Sequence, residues 1–330
     1  MSFRGRAERG LVAGGALLLG SCAAPSALAP QGPAAERIAG LWWIMFGLAS
    51  TIYGVVLTLL LIGLFRRRRL EPEHEHRPSD GRAWILGGGV ALPVAVLILL
   101  FALTLGTMAS LAAPPSDALT VELAGHQWWW EVRYPNGQVI TANELHIPAG
   151  QPVRLLLTSA DVIHSFWAPE LHGKIDLTPG RTSSFWIEAR QPGVYRGFCA
   201  EYCGDQHAKM AFLVIAEPPD QFTTWLERQR QAAPAPTAPL AQQGLLVFQR
   251  AGCPLCHTIR DAQAATAAGP DLTHLADRRT IAAGALANTH DNLASWLKNP
   301  QAIKPGNKMP APALTAEELQ ALLAYLESMK

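Results

Sequence analysis

Two stretches near the start of the chain carry no charge at all, residues 38–65 and 84–111. About 20 apolar residues cross a bilayer, so each stretch is long enough to span one. Arg66, Arg67, Arg68 and Arg69 follow the first run directly. Beside a span, such a basic cluster marks the cytoplasmic side. Trp42, Trp43 and Tyr53 include candidates for anchoring at the membrane surface, and Gly87, Gly88, Gly89 and Pro93 leave the second helix open to close approach by a neighbour. Two crossings return the chain to the outer side, which places everything from Pro114 onward outside the cytoplasm.

From residue 118 to 217 the pattern changes to short β-rich stretches: 119–123, 128–134, 153–158, 183–187, 193–198 and 211–215. Turn signals separate them, at Pro135-Asn136-Gly137, Pro148-Ala149-Gly150, Pro179-Gly180 and Pro192-Gly193. Several short strands at this spacing predict a β-sandwich or barrel. Residues 229–241 are rich in Ala, Pro and Gln without apolar periodicity and read as a Pro-stiffened linker. Beyond it the period becomes helical. Helices are predicted over 243–250, over 292–298 with Trp296, and after Thr315, whose capping box with Glu318 precedes Leu319, Leu322, Leu323 and Leu326 on one face.

A hydrophobic fraction of 49% against 16% charged residues fits a chain that spends its first third in a membrane. The net charge of +1 gives no electrostatic case for nucleic acid. Arg4, Arg6 and Arg9 ahead of a short apolar run read as an export signal over residues 1–21. Leu19-Gly20-Ser21-Cys22 resembles a bacterial lipobox, which makes Cys22 a candidate for lipidation. His74 and His76, among glutamates of the cytoplasmic loop, read as a solvated charged segment.

The remaining chemistry lies in two cysteine groups. Cys199, Cys203, His207 and Met210 fall within twelve residues, and His164 lies upstream in a loop between predicted strands. A disulfide would leave the histidines and Met210 unexplained. Structural zinc has no use for methionine. Thiolate, imidazole and thioether are the ligands of electron-transfer copper, but a mononuclear site needs one cysteine, and here there are two. Two thiolates can bridge two copper ions, with His164 and His207 as imidazoles and with Met210 and a backbone carbonyl near Glu201 as weak ligands.

The second group, Cys253-Pro-Leu-Cys256-His257, is a c-type haem attachment motif. Cys253 and Cys256 would bind the haem covalently and His257 its iron. Met309, in a Pro-rich loop, is the candidate sixth ligand. Met329, near the end of the last helix, is the rival and reads as packing or frayed.

On the segments Gly125-His-Gln-Trp-Trp-Trp130, Asp161–Trp167, Gly173–Asp176, Pro179–Arg181 and Cys199–Met210, residues 34–217 resemble subunit II of the haem–copper cytochrome c oxidases. On Cys253–His257, Gly269-Pro270-Asp271-Leu272 and Met309, residues 242–330 resemble a class I cytochrome c. Together they resemble the cytochrome c-fused subunit II of caa-type oxidases. The resemblance implies a multidomain membrane protein with a two-helix transmembrane hairpin, a β cupredoxin-like sandwich and an all-α cytochrome c domain. Its expected divisions are a signal peptide at 1–21, the membrane segment at 22–113, the copper domain at 114–228, the linker at 229–241 and the haem domain at 242–330.

It further implies that His164, Cys199, the Glu201 carbonyl, Cys203, His207 and Met210 hold a dinuclear copper A centre. The Glu201 side chain would reach a magnesium ion shared with subunit I, and Trp128 would be the aromatic residue where electrons arrive. His126, His146 and His172 carry no ligand argument and read as structural, and His274 and His290 as surface residues. Electrons would pass from a cytochrome bc complex or a soluble cytochrome c to haem c, then to copper A, then to subunit I. There oxygen is reduced to water and protons are pumped. Subunit III is a further expected partner and the bacterial inner membrane the expected location, with the linker keeping the haem domain close by. The family often has a glutamate where Leu86 stands here, so the expected proton-channel mouth uses another acid such as Asp80 or is built elsewhere. A nitric oxide reductase subunit, a quinol oxidase subunit, a free-standing electron carrier and a copper-handling lipoprotein are the rival readings.

Overall fold

The structure, a computed structural model, describes residues 25–67, 81–112, 118–134, 139–260 and 268–330. The expected signal, Cys22, His74, His76, Asp80 and the turn at 135–137 lie outside the described residues. Helix α1 runs Pro33–Arg67. Helix α2 runs Arg82–Leu111, with a π-helical stretch Ile85–Ala91 across the three glycines. Both are long and apolar enough to cross a membrane. Their side chains are bare, with Leu60 and Leu97 about two-thirds exposed (66% and 65%). Apolar surface on this scale needs a partner, and lipid is the one its length fits. The two helices are tied to each other and to the β domain. The Arg37 guanidinium donates to the Ser110 carbonyl (3.0 Å), the Trp186 indole to the Leu111 carbonyl (3.0 Å), and the Ala35 amide to the Leu171 carbonyl (3.2 Å).

The β domain has ten strands: β1 Leu119–His126, β2 Trp129–Arg133, β3 Ile140–Ala142, β4 Glu144–Pro148, β5 Val153–Ser159, β6 His164–Trp167, β7 Ile175–Leu177, β8 Ser183–Ile187, β9 Gly193–Cys199 and β10 Ala211–Glu217. One sheet has the order β3-β2-β1-β5-β8 and the other β4-β10-β9-β6-β7. Strands β1 and β5 alternate as a half-buried strand should, turning Val121, Leu123, Leu155 and Leu157 inward. Trp130, Phe166 and Phe212 fill the space between the sheets, with the two phenylalanine rings stacked at 4.5 Å. Strands β4 and β10 are buried along nearly their whole length, with Trp225 stacked on His146 and the C-terminal domain meeting Glu144 and Ala211. Helix α3, Pro219–Gln229, closes the sandwich with Phe222 and Trp225, over the start of the segment whose composition reads as a linker. The extended stretch is 231–238.

The C-terminal domain contains α4 Pro239–Arg250, a small ribbon of β11 Thr280–Ile281 and β12 Leu286–Ala287, α5 His290–Lys298, α6 Pro300–Ile303 and α7 Ala316–Glu327. The capping box at Thr315 forms as expected, with Glu318 N donating to Thr315 Oγ1 and Thr315 N to Glu318 Oε2. Leu319, Leu322, Leu323 and Leu326 are all buried. Helix α4 crosses α7 at backbone contact. A Cβ on Gly244 would lie 1.9 Å from the Ala321 carbonyl oxygen, so only glycine fits. Met329 is 1% exposed in this core, and its carbonyl accepts from Ala276 N, so it is packing and not frayed.

The two folded domains are docked. The Glu144 carboxylate accepts from Arg279 N (2.7 Å) and Thr280 N (3.0 Å), and Ala211 N donates to the Ala283 carbonyl (3.0 Å). Trp129, Ala142 and Ala283 form a small buried cluster across the join.

Candidate redox centres

Strand β6 delivers His164, which opens that strand and does not lie in a loop. Strand β9 ends on Cys199, and the turn before β10 supplies Glu201, Cys203, His207 and Met210. The six positions meet. Cys199 Sγ lies 3.8 Å from Cys203 Sγ, 3.9 Å from His164 Nδ1 and 3.1 Å from the Glu201 carbonyl oxygen. Cys203 Sγ lies 3.6 Å from His207 Nδ1 and 3.8 Å from Met210 Sδ. Both sulfurs are free thiols, buried with His164 and Met210.

This donor set fits copper. Two thiols, two imidazoles, a thioether and one carbonyl converge with no charged amine among them, and soft sulfur ligands select copper over hard cations. Without metal the two thiols are hydrogen-bonded to each other. The bond with Cys203 pushes Cys199 down to about 3 against the opposing effect of burial, and the same bond and burial push Cys203 up. Metal binding requires both sulfurs as thiolates.

Asp161 sets the imidazole. His164 Nε2–H donates to Asp161 Oδ1 at 2.9 Å, which turns Nδ1 toward the sulfur. Burial would raise the Asp161 pKa, but His164 and the Gln127 and Val162 amides outweigh it and hold it low.

The second centre is a cavity of about 320 Å³ lined by Cys253, Cys256, His257, Met309, Trp296 and Leu297. His257 Nδ1–H donates to the Pro270 carbonyl at 2.8 Å, so Nε2 is the nitrogen left for a metal. Burial first of all lowers its pKa and keeps it neutral. A Cβ on Gly269 would lie 2.8 Å from His257 Cε1, so the ring has room only because residue 269 is glycine. The Met309 loop is braced from inside, with Met309 N donating to Asn307 Oδ1 and Gln301 Nε2 to the Met309 carbonyl. Arg278 and Thr280 also line the cavity, and Arg278 Nε and Thr280 Oγ1 are buried without a hydrogen-bond partner. Orphaned donors in an apolar crevice suit a large apolar ring that carries carboxylates, as haem does.

The cavity does not end at the domain boundary. Gln127, Trp128 and Trp129 of the β domain form part of its wall. Trp128 stands in the turn before β2, and its indole N–H donates to the Cys203 carbonyl at 3.0 Å, beside Gln127 Nε2 on the same oxygen at 2.9 Å. Period-two alternation puts Trp129 opposite Trp128 and Trp130, yet all three are buried, because Trp129 faces the docked domain and stacks on His126.

Several residues have more to do than the sequence suggests. Asp161 sits inside a recognised motif, but its hold on His164 depends on a chain reversal. His146 is not an ordinary strand-end residue. It is stacked on Trp225 at 3.9 Å, donates to Glu217 at 3.0 Å and lies 3.9 Å from Glu144. His274 is buried and donates to the Gln231 carbonyl, where a surface residue was expected. His290 is exposed and paired with Glu327, as expected. His172 packs on Phe185, and burial takes its pKa down to about 4.

Residues 137–217 match the family described as cytochrome c oxidase subunit II, periplasmic domain, and residues 241–330 match the family described as cytochrome c. The chain is 36% identical over 314 residues to cytochrome c oxidase subunit 2 of Alkalihalophilus pseudofirmus, covering 92% of this chain and 91% of that one. It is 33% identical to cytochrome c oxidase subunit 2 of Bacillus sp. strain PS3, covering 96% and 95%. Among solved structures it matches the periplasmic domain of subunit II of cytochrome oxidase of Bradyrhizobium japonicum, at 30% identity and a TM-score of 0.35, over 36% of this chain and 97% of that one.

Proposed function

Because this chain belongs to the cytochrome c oxidase subunit II family and carries a cytochrome c domain of its own, we propose that it is a two-centre electron relay into subunit I of a haem–copper oxidase. When bound, haem c and a dinuclear copper A centre supply the one-electron carriers. Cys253 and Cys256 would hold the haem covalently, and His257 and Met309 would bind its iron. His164, Cys199, the Glu201 carbonyl, Cys203, His207 and Met210 would hold two copper ions. The observation that carries the reading is Trp128, which lines the cavity of Cys253 and Met309 and is hydrogen-bonded to Cys203. One side chain thus touches both centres, and Trp128 is where electrons leave the haem domain.

The residues keep both centres rigid. Asp161 and the Pro270 carbonyl fix the two imidazole tautomers, and the buried sandwich holds the sulfur ligands still, so little rearrangement accompanies each electron. The Glu201 carboxylate is 43% exposed and paired with Lys174 at 3.3 Å. It would serve a magnesium ion shared with subunit I. α1 and α2 form a two-pass hairpin in the bacterial inner membrane, beside subunits I and III, with both redox domains outside. Residues 1–21 direct export and Cys22 is lipidated. A cytochrome bc complex or a soluble cytochrome c supplies electrons, and subunit I reduces oxygen and pumps protons.

The test is a joint optical and electron paramagnetic resonance spectrum of the whole chain, matured with haem and loaded with copper. One unpaired electron shared over two coppers, beside a low-spin c haem, is the expected result. A mononuclear copper signal in correctly folded, fully loaded protein would sink the relay.

A further inference from the structure

The join between the domains contains a buried cation that neither centre uses. Lys304 is 3% exposed and stands at the start of the loop that leads to Met309. Its ammonium donates across the join to the Trp128 carbonyl (3.0 Å) and within its own domain to the Ala282 carbonyl (3.3 Å). The loop around it is pinned from the opposite side. Gln206 Nε2 donates to the Pro305 carbonyl and Lys209 Nζ to the Ile303 carbonyl. Gln206 and Lys209 belong to the turn that also carries His207 and Met210. The Met309 loop therefore sits directly on the copper-type turn and on Trp128.

Burying an amine costs free energy unless its donors are used. Here burial lowers the Lys304 pKa to about 8, with Lys209 adding to the shift and Cys203 opposing it. The cost is tolerated because both carbonyls would otherwise be buried at a join they cannot close by themselves. An amine keeps two N–H donors whether or not it is protonated, so the clasp does not depend on its charge.

We propose that Lys304 is the positioning residue that clasps the cytochrome domain onto the copper domain, fixing the Met309 loop against Trp128 in the arrangement that passes electrons. The electron-passing part rests on the relay reading, and the clasp itself does not. Lys304 stands in the wall of the haem-type cavity but supplies no ligand to either centre, and it acts through Trp128.

The experiment uses the full chain in its oxidase complex, with Lys304→Met and Lys304→Arg. In Lys304→Met, the low-spin haem and dinuclear copper signatures should both persist. Deuterium exchange at the Ala211, Arg279 and Thr280 amides, which are bonded across the join without involving the Lys304 amine, should rise by about tenfold or more, and haem-to-copper equilibration should slow by a similar factor. Lys304→Arg, which keeps the donors, should recover most of both. In unmodified protein, amine acetylation should spare Lys304 while it labels Lys308, whose side chain is 61% exposed. This last readout stands even if Lys304→Met fails to take up haem. Wild-type exchange and rates in Lys304→Met, or acetylation of Lys304 as fast as of Lys308, would overturn the clasp. If wild type lacks a dinuclear copper signal, the relay fails, and the exchange and acetylation results still judge the clasp alone.

Discussion

The two candidate centres are built in opposite ways. The copper-type cluster is made by one domain, from the ends of β6 and β9 and a twelve-residue stretch, with each donor atom already within 4 Å of one of the two sulfurs. The haem-type cavity is walled by loops and helix faces of the C-terminal domain and is completed by Trp128 and Trp129 of the other domain. A small ion fits between strands that their ladders hold in place. A large planar group needs a crevice with an open edge, and in this chain the neighbouring domain covers that edge. The open site is thereby turned toward the closed one.

The largest expected effects separate the two centres. Cys203→Ser should abolish the dinuclear copper signal and leave the haem spectrum intact, whereas a surviving mixed-valence signal would rule out the bridging assignment. Met309→Ala should remove the low-spin His/Met haem signature and leave copper untouched, and unchanged haem spectra would disqualify Met309. A smaller effect is expected one step out. Asp161→Ala frees the His164 ring without removing a ligand, and copper affinity measured against a chelator should fall by roughly 10–100-fold. Unaltered affinity would show that the sandwich alone orients the ring.

The smallest expected effect concerns the docked face. Burial would lower the His146 pKa, but Glu144 and Glu217 overcome it and raise it above 6.5. The protonated cluster therefore stabilises fully below pH 6.5, and its contribution is lost as pH rises through the folded-state pKa. The thermal midpoint of the wild type should drop across that window relative to His146→Gln. Parallel pH profiles would show that His146 does not titrate there.

The residues of both centres can be read from the sequence because metal and haem ligation demand rare residue types at short spacings. The main strands can be read because β1 and β5 keep period two. What escapes is what depends on docking. β4 is buried on both faces and loses its alternation, so Glu144 and His146 read as ordinary polar residues. Helix α3 hides in a stretch whose Gln- and Arg-rich end resembles a linker. Lys304 finds its partner at Trp128, 176 residues away, and no local pattern announces a contact of that range. A linker composition predicts a domain held nearby, whereas the structure shows a domain held in place.

Time-resolved electron transfer in the intact, fully loaded complex tests that distinction most directly. Haem c would be reduced by a flash and the copper band followed at increasing protein concentration and solvent viscosity. A docked relay predicts a fast intramolecular phase that changes with neither. A phase that slows in proportion to viscosity would mean that the cytochrome domain must diffuse to its partner before each transfer, and would contradict the account.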